Sequence, residues 1–196
     1  MSISRRLFIR NAAIASTLLT IKNSAIAKAT ERTGIKEFYK DDFRIGTAIS
    51  TATLLNNDKR TLGLIAREFD AITPENCMKW EPIRPKDNEW DWTAADKFVE
   101  FGQKNSMYIV GHNLVWHSQV PKEVFQDESG GVIKKEALAI KMQNHIAKLA
   151  GRYKGKISAW DVVMKLSKMM AHGEKAPGIE LWAKTLLPML FIWHTK

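Results

Sequence analysis

Four short apolar segments, each separated from the next by a helical pattern, constrain the fold of this chain more than any other feature. The predicted strands are residues 43–50, 69–73, 107–110 and 157–163. They are apolar along the run rather than at alternate positions, which is typical of strands buried on both faces. Strands of this kind that alternate with helices form a parallel sheet covered by helices, so the sequence predicts the α/β class.

The helices between these strands are predicted from capping residues and from apolar periodicity. One begins near Asn57-Asp58, the next is capped by Thr93 with Asp96 three residues later, and the third runs from Lys135 to Leu149. The residues predicted to fit these helices on their buried sides are Leu62, Leu64, Ile65 and Phe69; Phe98, Val99 and Phe101; and Leu138, Met142, Ile146 and Leu149.

Polar and aromatic residues crowd directly after two of the predicted strands. Thr73-Pro74-Glu75-Asn76 ends the second strand, and the segment from Gly111 to Gln119 follows the third. In a β/α barrel the carboxyl ends of the strands form the active-site face, so these residues are expected to share a ligand-binding edge.

The distribution of charge argues against a nucleic-acid-binding protein, although the net charge is +9. Residues 1–27 carry +4 and residues 164–196 carry +3, which leaves +2 on residues 28–163. The body of the chain is therefore nearly neutral, and no nucleic-acid partner is predicted. Cys77 is the only cysteine, which excludes an intrachain disulfide, and no Cys/His spacing indicates a metal site or a cofactor.

The first 27 residues have the order of an export signal. The segment from Ser4 to Arg10 resembles the twin-arginine consensus, a mildly apolar stretch follows from Ala12 to Ile21, and Ala25-Ile26-Ala27 offers a small-x-small cleavage site. We therefore expect a bacterial protein exported by the twin-arginine or general machinery to the periplasm or the exterior. No stable membrane anchor is expected.

Three segments, taken in order, resemble the successive strand motifs of one enzyme family. They run from Thr73 to Trp80, from Gly111 to Gln119 and from Trp160 to Val163. They are similar to glycoside hydrolase family 10, the endo-1,4-β-xylanases built on a TIM barrel, over about Phe38 to Val163. The resemblance implies xylan or xylo-oligosaccharides as the substrate. It also implies a (β/α)8 barrel of which residues 28–163 supply only about the first four β/α units, with open apolar edges on the first and fourth strands.

The resemblance assigns sugar-binding roles to Glu75, Asn76, Lys79, His112 and Trp116. The first three would hydrogen-bond hydroxyls of a xylose unit on the non-reducing side of the cut, and the last two would line the subsite beside the scissile bond. Charged and amide groups can hold several hydroxyls at once, and an indole offers a flat apolar face to a sugar ring. A lone lysine or histidine is more often solvated or structural, so the ordered set carries this hypothesis. The four tryptophans Trp80, Trp90, Trp92 and Trp160 are interpreted as packing residues.

The chain departs from the family at the catalytic acid. The family reaction retains configuration and uses two carboxylates about 5–5.5 Å apart. The family's acid/base is the Glu of Trp-Asp-Val-Val-Asn-Glu, and Lys165 occupies that position here. An ammonium with a pKa of about 10 is a poor proton shuttle near neutral pH. No counterpart of the later nucleophile strand is recognised, so no intact catalytic residue is predicted.

A change of reading frame after Val163 explains residues 164–196, which look non-native. Met and Trp codons end in G, so a one-base shift forces several codons to begin with G. The forced residues are Glu across Met164-Lys165, Asp across Met169-Met170, and Gly across Met170-Ala171 and Trp182-Ala183. The forced Glu, Asp and two Gly residues fall at positions where family 10 sequences have the same residues. The hypothesis is a lost base near codon 164, and the chain as written is predicted not to hydrolyse xylan.

Two other functions remain open from the residues alone. The chain is either a xylanase homologue, a related TIM-barrel glycosidase such as a cellulase, or a non-catalytic sugar-binding remnant that keeps the five binding residues.

Overall fold

A parallel sheet organises the chain. The computed structural model describes residues 33–86 and 89–164. Within them the sheet contains β1 (Gly46–Ile49), β2 (Ala71–Pro74), β3 (Tyr108–Val115) and β4 (Ala159–Val163), which lie side by side in that order. Every adjacent pair is parallel, so the α/β prediction is confirmed. Sequential parallel strands joined through helices are the repeating unit of a β/α barrel.

The helices connect these strands and cover the sheet. They are α1 (Ile35–Tyr39), α2 (Thr51–Leu55), α3 (Lys59–Glu68), α4 (Trp80–Ile83), α5 (Thr93–Lys104) and α6 (Lys135–Arg152), with a 3-10 turn at Lys122–Phe125. Helix α3 begins as predicted, because Asp58 accepts the backbone N–H groups of Arg60 and Thr61 at 3.2 Å each.

The predicted cap of helix α5 is wrong. Trp92, not Thr93, is the capping residue, and Thr93 is the first helical residue, with its N–H donated to Asp91 Oδ1 at 2.9 Å. Asp96 does not complete a capping box, because its carboxylate binds the guanidinium of Arg152 through two hydrogen bonds of 3.0 and 2.6 Å.

Strand β3 is longer than the sequence indicated. The segment from Gly111 to Val115, predicted to follow the strand, belongs to it because it pairs with β4. The register places Gly111 opposite Trp160 and His112 opposite Asp161. Two functional motifs that lie far apart in sequence therefore become neighbours across one strand pair.

The core lies between the sheet and the helices. Most of the predicted helical residues face it: Ile65, Phe98, Val99, Leu138, Met142 and Leu149 are buried, and Leu62, Phe69, Phe101 and Ile146 are partly buried. Leu64 is the exception. It is 47% exposed, because one step along a helix turns the side chain by about 100° away from the buried Ile65.

Helix α5 approaches the sheet closely at Gly102. A Cβ there would lie 2.6 Å from Ile109 Cδ1 and 2.9 Å from Ile72 Cδ1, so any larger residue would force these two buried side chains to shift. In the described part of the chain, no helix is both long enough and apolar enough to cross a membrane.

Candidate functional site

Of the predicted binding residues, Glu75, Asn76 and Lys79 follow β2, Trp116 directly follows β3, and His112 lies within the second half of β3. Glu75 follows directly after the last residue of β2, and its N–H donates to the carbonyl of Ile49 on β1 at 3.0 Å. Lys79 immediately precedes α4, and its N–H closes a turn onto the carbonyl of Asn76 at 2.9 Å. The loop that carries three of the five residues is therefore anchored to the sheet at one end and to a helix at the other.

Asn76, Lys79 and Trp116 form one cluster. Lys79 Nζ donates to Asn76 Oδ1 at 2.8 Å and lies 4.7 Å from the centre of the Trp116 ring. Lys79 is only 8% exposed, so its ammonium has lost most of its hydration. The amide oxygen of Asn76 and the indole face of Trp116 offset part of the free-energy cost of this desolvation. These two contacts hold the ammonium in one place.

The loop after Trp116 is tied to the same region. The N–H of Glu81 on α4 donates to the carbonyl of Gln119 at 2.7 Å. This bond connects the segment after β3 to the helix that follows Lys79. The indole of Trp116 and the ammonium of Lys79 therefore belong to two segments that are fixed to each other by main-chain contacts.

His112 forms a second pair, with Asp161 of β4. His112 Nδ1 lies 2.8 Å from Asp161 Oδ2, and the side chains are 17% and 54% exposed. A carboxylate can only accept, so the proton lies on Nδ1 and leaves Nε2 for a ligand. Asp161 belongs to the third motif of the family resemblance, but no role was predicted for it. The signal available in the sequence was a carboxylate within a predicted strand, and only the strand register shows its partner.

Glu75 is exposed, and its carboxylate makes no hydrogen bond to another described residue. It is thus available to a solute. Lys165, the residue at the family's acid/base position, lies outside the described residues. Strand pairing reaches Met164, whose N–H donates to the carbonyl of Val115 at 3.1 Å.

Other reactive side chains near the loop are structural. Cys77 is 3% exposed, and burial raises the pKa of its thiol to about 12, so it is not a thiolate nucleophile at neutral pH. Trp80 is buried as well, in agreement with its interpretation as a packing residue. Among residues 33–86 and 89–164, no group of three His, Cys, Asp or Glu side chains is placed to bind a metal ion.

The fold and the site together define the first β/α units of a TIM barrel whose binding groups lie on the face formed by the carboxyl ends of the strands. Comparison with known families identifies which TIM-barrel family the chain belongs to. Residues 34–175 match the model of glycosyl hydrolase family 10, and the chain belongs to that family. The match continues past Val163, and the domain boundary predicted there stays a prediction.

Individual relatives agree with the family match. The chain is 36% identical over 169 residues to the β-1,4-xylanase of Dictyoglomus thermophilum, covering 85% of this chain and 45% of the relative. It is 40% identical over 125 residues to endo-1,4-β-xylanase A of Caldicellulosiruptor saccharolyticus, covering 64% of this chain and 36% of the relative. The chain thus spans less than half the length of these relatives.

Solved structures show the same relationship. A family 10 endoxylanase retrieved from sugarcane soil metagenome superposes with a TM-score of 0.65 and 76% identity, over 66% of this chain and 38% of that one. Xylanase XynB of Paenibacillus barcinonensis, solved with a conduramine derivative, superposes with a TM-score of 0.61 and 36% identity. The match covers 67% of this chain and 39% of that one. The TIM-barrel prediction and the family prediction are both confirmed.

Proposed function

We propose that this chain forms the sugar-binding part of an endo-1,4-β-xylanase that recognises the non-reducing side of a xylan chain. One observation carries the proposal: the buried ammonium of Lys79 is held between Asn76 and Trp116 on the ligand face of the sheet. An ammonium held in a fixed position is a strong donor to sugar hydroxyls. The relatives named endo-1,4-β-xylanases favour xylan over cellulose as the polymer.

In this proposal each residue has a distinct task. The exposed carboxylate of Glu75 accepts from hydroxyls, and Lys79, on the same loop, donates to them. The indole of Trp116 supports the apolar face of a neighbouring ring, and His112 presents Nε2 to the hydroxyls there. Two sugar units in adjacent subsites account for all of these groups.

Retaining hydrolysis is the reaction we assign to the frame-restored protein, not to the chain as written. That reaction needs two carboxylates about 5–5.5 Å apart, one as proton donor and one as nucleophile. Lys165 stands where the donor is required. The chain therefore keeps binding groups but lacks the proton donor, which also supports the second candidate, a non-catalytic sugar-binding protein.

Export is a further part of the proposal. The twin-arginine-like segment and the cleavage pattern in residues 1–27 support delivery to the periplasm or the exterior, where xylan is encountered. These residues lie outside the described part of the chain. Cleavage after Ala27, detected by mass spectrometry of the exported product, is the expected outcome, and retention of the intact N-terminus in the cytoplasm would contradict it.

Calorimetric titration of the 196-residue chain with xylohexaose and with cellohexaose tests the binding. We expect xylohexaose to bind and cellohexaose to bind at least tenfold more weakly. Lys97→Ala, on the exposed side of α5, is the matched control for changes at Lys79, because it removes a lysine far from the cluster. Absence of xylohexaose binding by a folded chain would refute the proposal.

A further inference from the structure

We propose that His145 makes the docking of helix α6 acid-sensitive: its neutral ring fills the space between two tryptophans, and protonation detaches α6 from the segment that carries them. This device adjoins the loop that carries Lys79, but it does not depend on the proposed function.

The packing of His145 excludes solvent from the whole ring. The side chain is 0% exposed and stacks on Trp80 of α4, with ring centres 3.9 Å apart and planes 2° from parallel. Trp90 stacks on it as well, at 5.7 Å and 16°. Neither imidazole nitrogen has a hydrogen-bond partner among the described residues. The ring therefore serves as a flat filler and not as a hydrogen-bonding group.

The charges around this stack disfavour a second positive group. Arg84, which is 9% exposed, lies over the Trp90 ring at 5.2 Å, and Lys148 of α6 lies over the same ring at 4.7 Å. Burial first, and the Arg84 guanidinium second, lower the pKa of His145 to about 3. Cation–π attraction to Trp80 would favour an imidazolium, but the other tryptophan already faces two cations.

Among the residues that the structure describes, the acidic side chains next to Trp80 and Trp90 in sequence do not neutralise a positive charge on His145. Glu81 on α4 and Glu89 and Asp91 on either side of Trp90 are exposed. Glu89 pairs with Lys86 at 3.1 Å, and Asp91 accepts the N–H of Thr93 at 2.9 Å. On α6 itself, the charged neighbours one turn before and after His145 are Lys141 and Lys148. A proton on His145 would therefore add to an excess of positive charge.

Protonation of His145 is expected to make the folded chain less stable as the pH falls. Because the folded-state pKa lies below the unfolded value of about 6.5, the contribution of His145 to stability is complete above pH 6.5 and is lost as the pH falls toward 3. Within that window this group alone lowers the folding equilibrium constant about tenfold per pH unit. Trp80 follows Lys79 directly, so loss of the stack also loosens the end of the loop that carries the binding cluster.

Urea unfolding of the full 196-residue chain between pH 8 and pH 4 tests the proposal. His145→Phe keeps a flat ring but cannot be protonated. Below about pH 6.5 its stability is therefore expected to fall less steeply than that of the parent. The difference between the two is about tenfold in the folding equilibrium constant for each pH unit. Gln143→His, which adds an imidazole on the exposed side of the same helix, is the control and is expected to leave the pH profile unchanged. Equal profiles for the parent and His145→Phe would overturn the proposal.

A second measurement decides the case if His145→Phe does not fold. Nitrogen NMR of the parent imidazole is expected to show His145 neutral in the folded chain down to at least pH 5. Arg84→Gln is expected to raise its pKa, because it removes the nearby cation. A His145 ring that titrates near pH 6.5 in the parent, through exposure or loose packing, overturns the proposal independently of any result with sugars.

Discussion

His112 and Asp161 are partners in the register of β3 and β4, and their side chains meet with Nδ1 2.8 Å from Oδ2. The pair joins the second and third sequence motifs across 49 residues of chain. It fixes the proton on Nδ1 and leaves Nε2 without one, so under the proposed function Asp161 acts on the sugar through the orientation of His112.

Replacement of Asp161 by Asn tests this orientation. An amide side chain can donate as well as accept, so Asp161→Asn no longer fixes the imidazole tautomer. We expect xylohexaose affinity to fall about tenfold, which corresponds to about 1.4 kcal/mol, with little change in stability because Asp161 is half exposed. Calorimetric titration and imidazole NMR are the measurements. Glu100→Gln on the exposed side of α5 is the control, and unchanged affinity in Asp161→Asn would contradict the role.

Replacement of Lys79 by Met separates binding from stability. Buried charges are costly to desolvate, so a methionine of similar length is expected to change the free energy of unfolding by less than about 1 kcal/mol. The same change removes charge-assisted hydrogen bonds worth about 1.5–3 kcal/mol, so xylohexaose affinity is expected to fall by a factor of about 10 to 100. A large loss of stability with unchanged affinity would make Lys79 a structural residue.

Local patterns predicted the four strands and the three longer helices α3, α5 and α6, because these depend on neighbours within a few residues, but not the short helices α1, α2 and α4. Asp58 caps α3 as expected, and the buried residues of α6 follow its periodicity. Cross-strand partners were not predictable in this way. The role of Asp161 and the extension of β3 to Val115 both depend on the pairing with β4. The missing capping box of α5 has the same cause, since Arg152, which binds Asp96, lies 56 residues away.

Two glycines in helices give opposite predictions for the same substitution. Gly102→Ala is expected to destabilise the chain by about 1–3 kcal/mol, because its methyl group would lie 2.6 Å from Ile109 and 2.9 Å from Ile72. Gly63→Ala in α3 meets no atom within 4 Å and is expected to stabilise by about 0.5–1 kcal/mol. Urea unfolding of both variants is the measurement. Equal shifts in the same direction would show that α5 does not pack against the sheet as described.

The ion pair between Asp96 of α5 and Arg152 of α6 predicts that the stability of the chain depends on pH. Hydrogen bonds from Arg152 chiefly, and from Tyr153, lower the pKa of Asp96. Its contribution to stability is therefore present above the unfolded value of about 4 and is lost as the pH falls through the lower folded value. Asp96 is 46% exposed, so after solvent screening we expect Asp96→Asn to cost only about 0.5–1 kcal/mol at pH 7. Urea unfolding at pH 7 and pH 3 checks this, and an equal cost at both values would contradict the ion pair.

The last prediction concerns catalysis and separates a missing proton donor from a shifted frame. The 196-residue chain is expected to release no reducing sugar from xylan, because an ammonium at position 165 does not replace a carboxylic acid. Lys165→Glu alone is expected to remain inactive, since the reaction needs a second carboxylate at about 5–5.5 Å and Glu174 and Glu180 lack the family context. Restoring one base after codon 163 supplies the donor together with the downstream family sequence, so that product is expected to be active on xylan. Turnover by the unaltered chain, or nucleotide reads that confirm its frame with no family pattern in the shifted one, would refute the frame hypothesis.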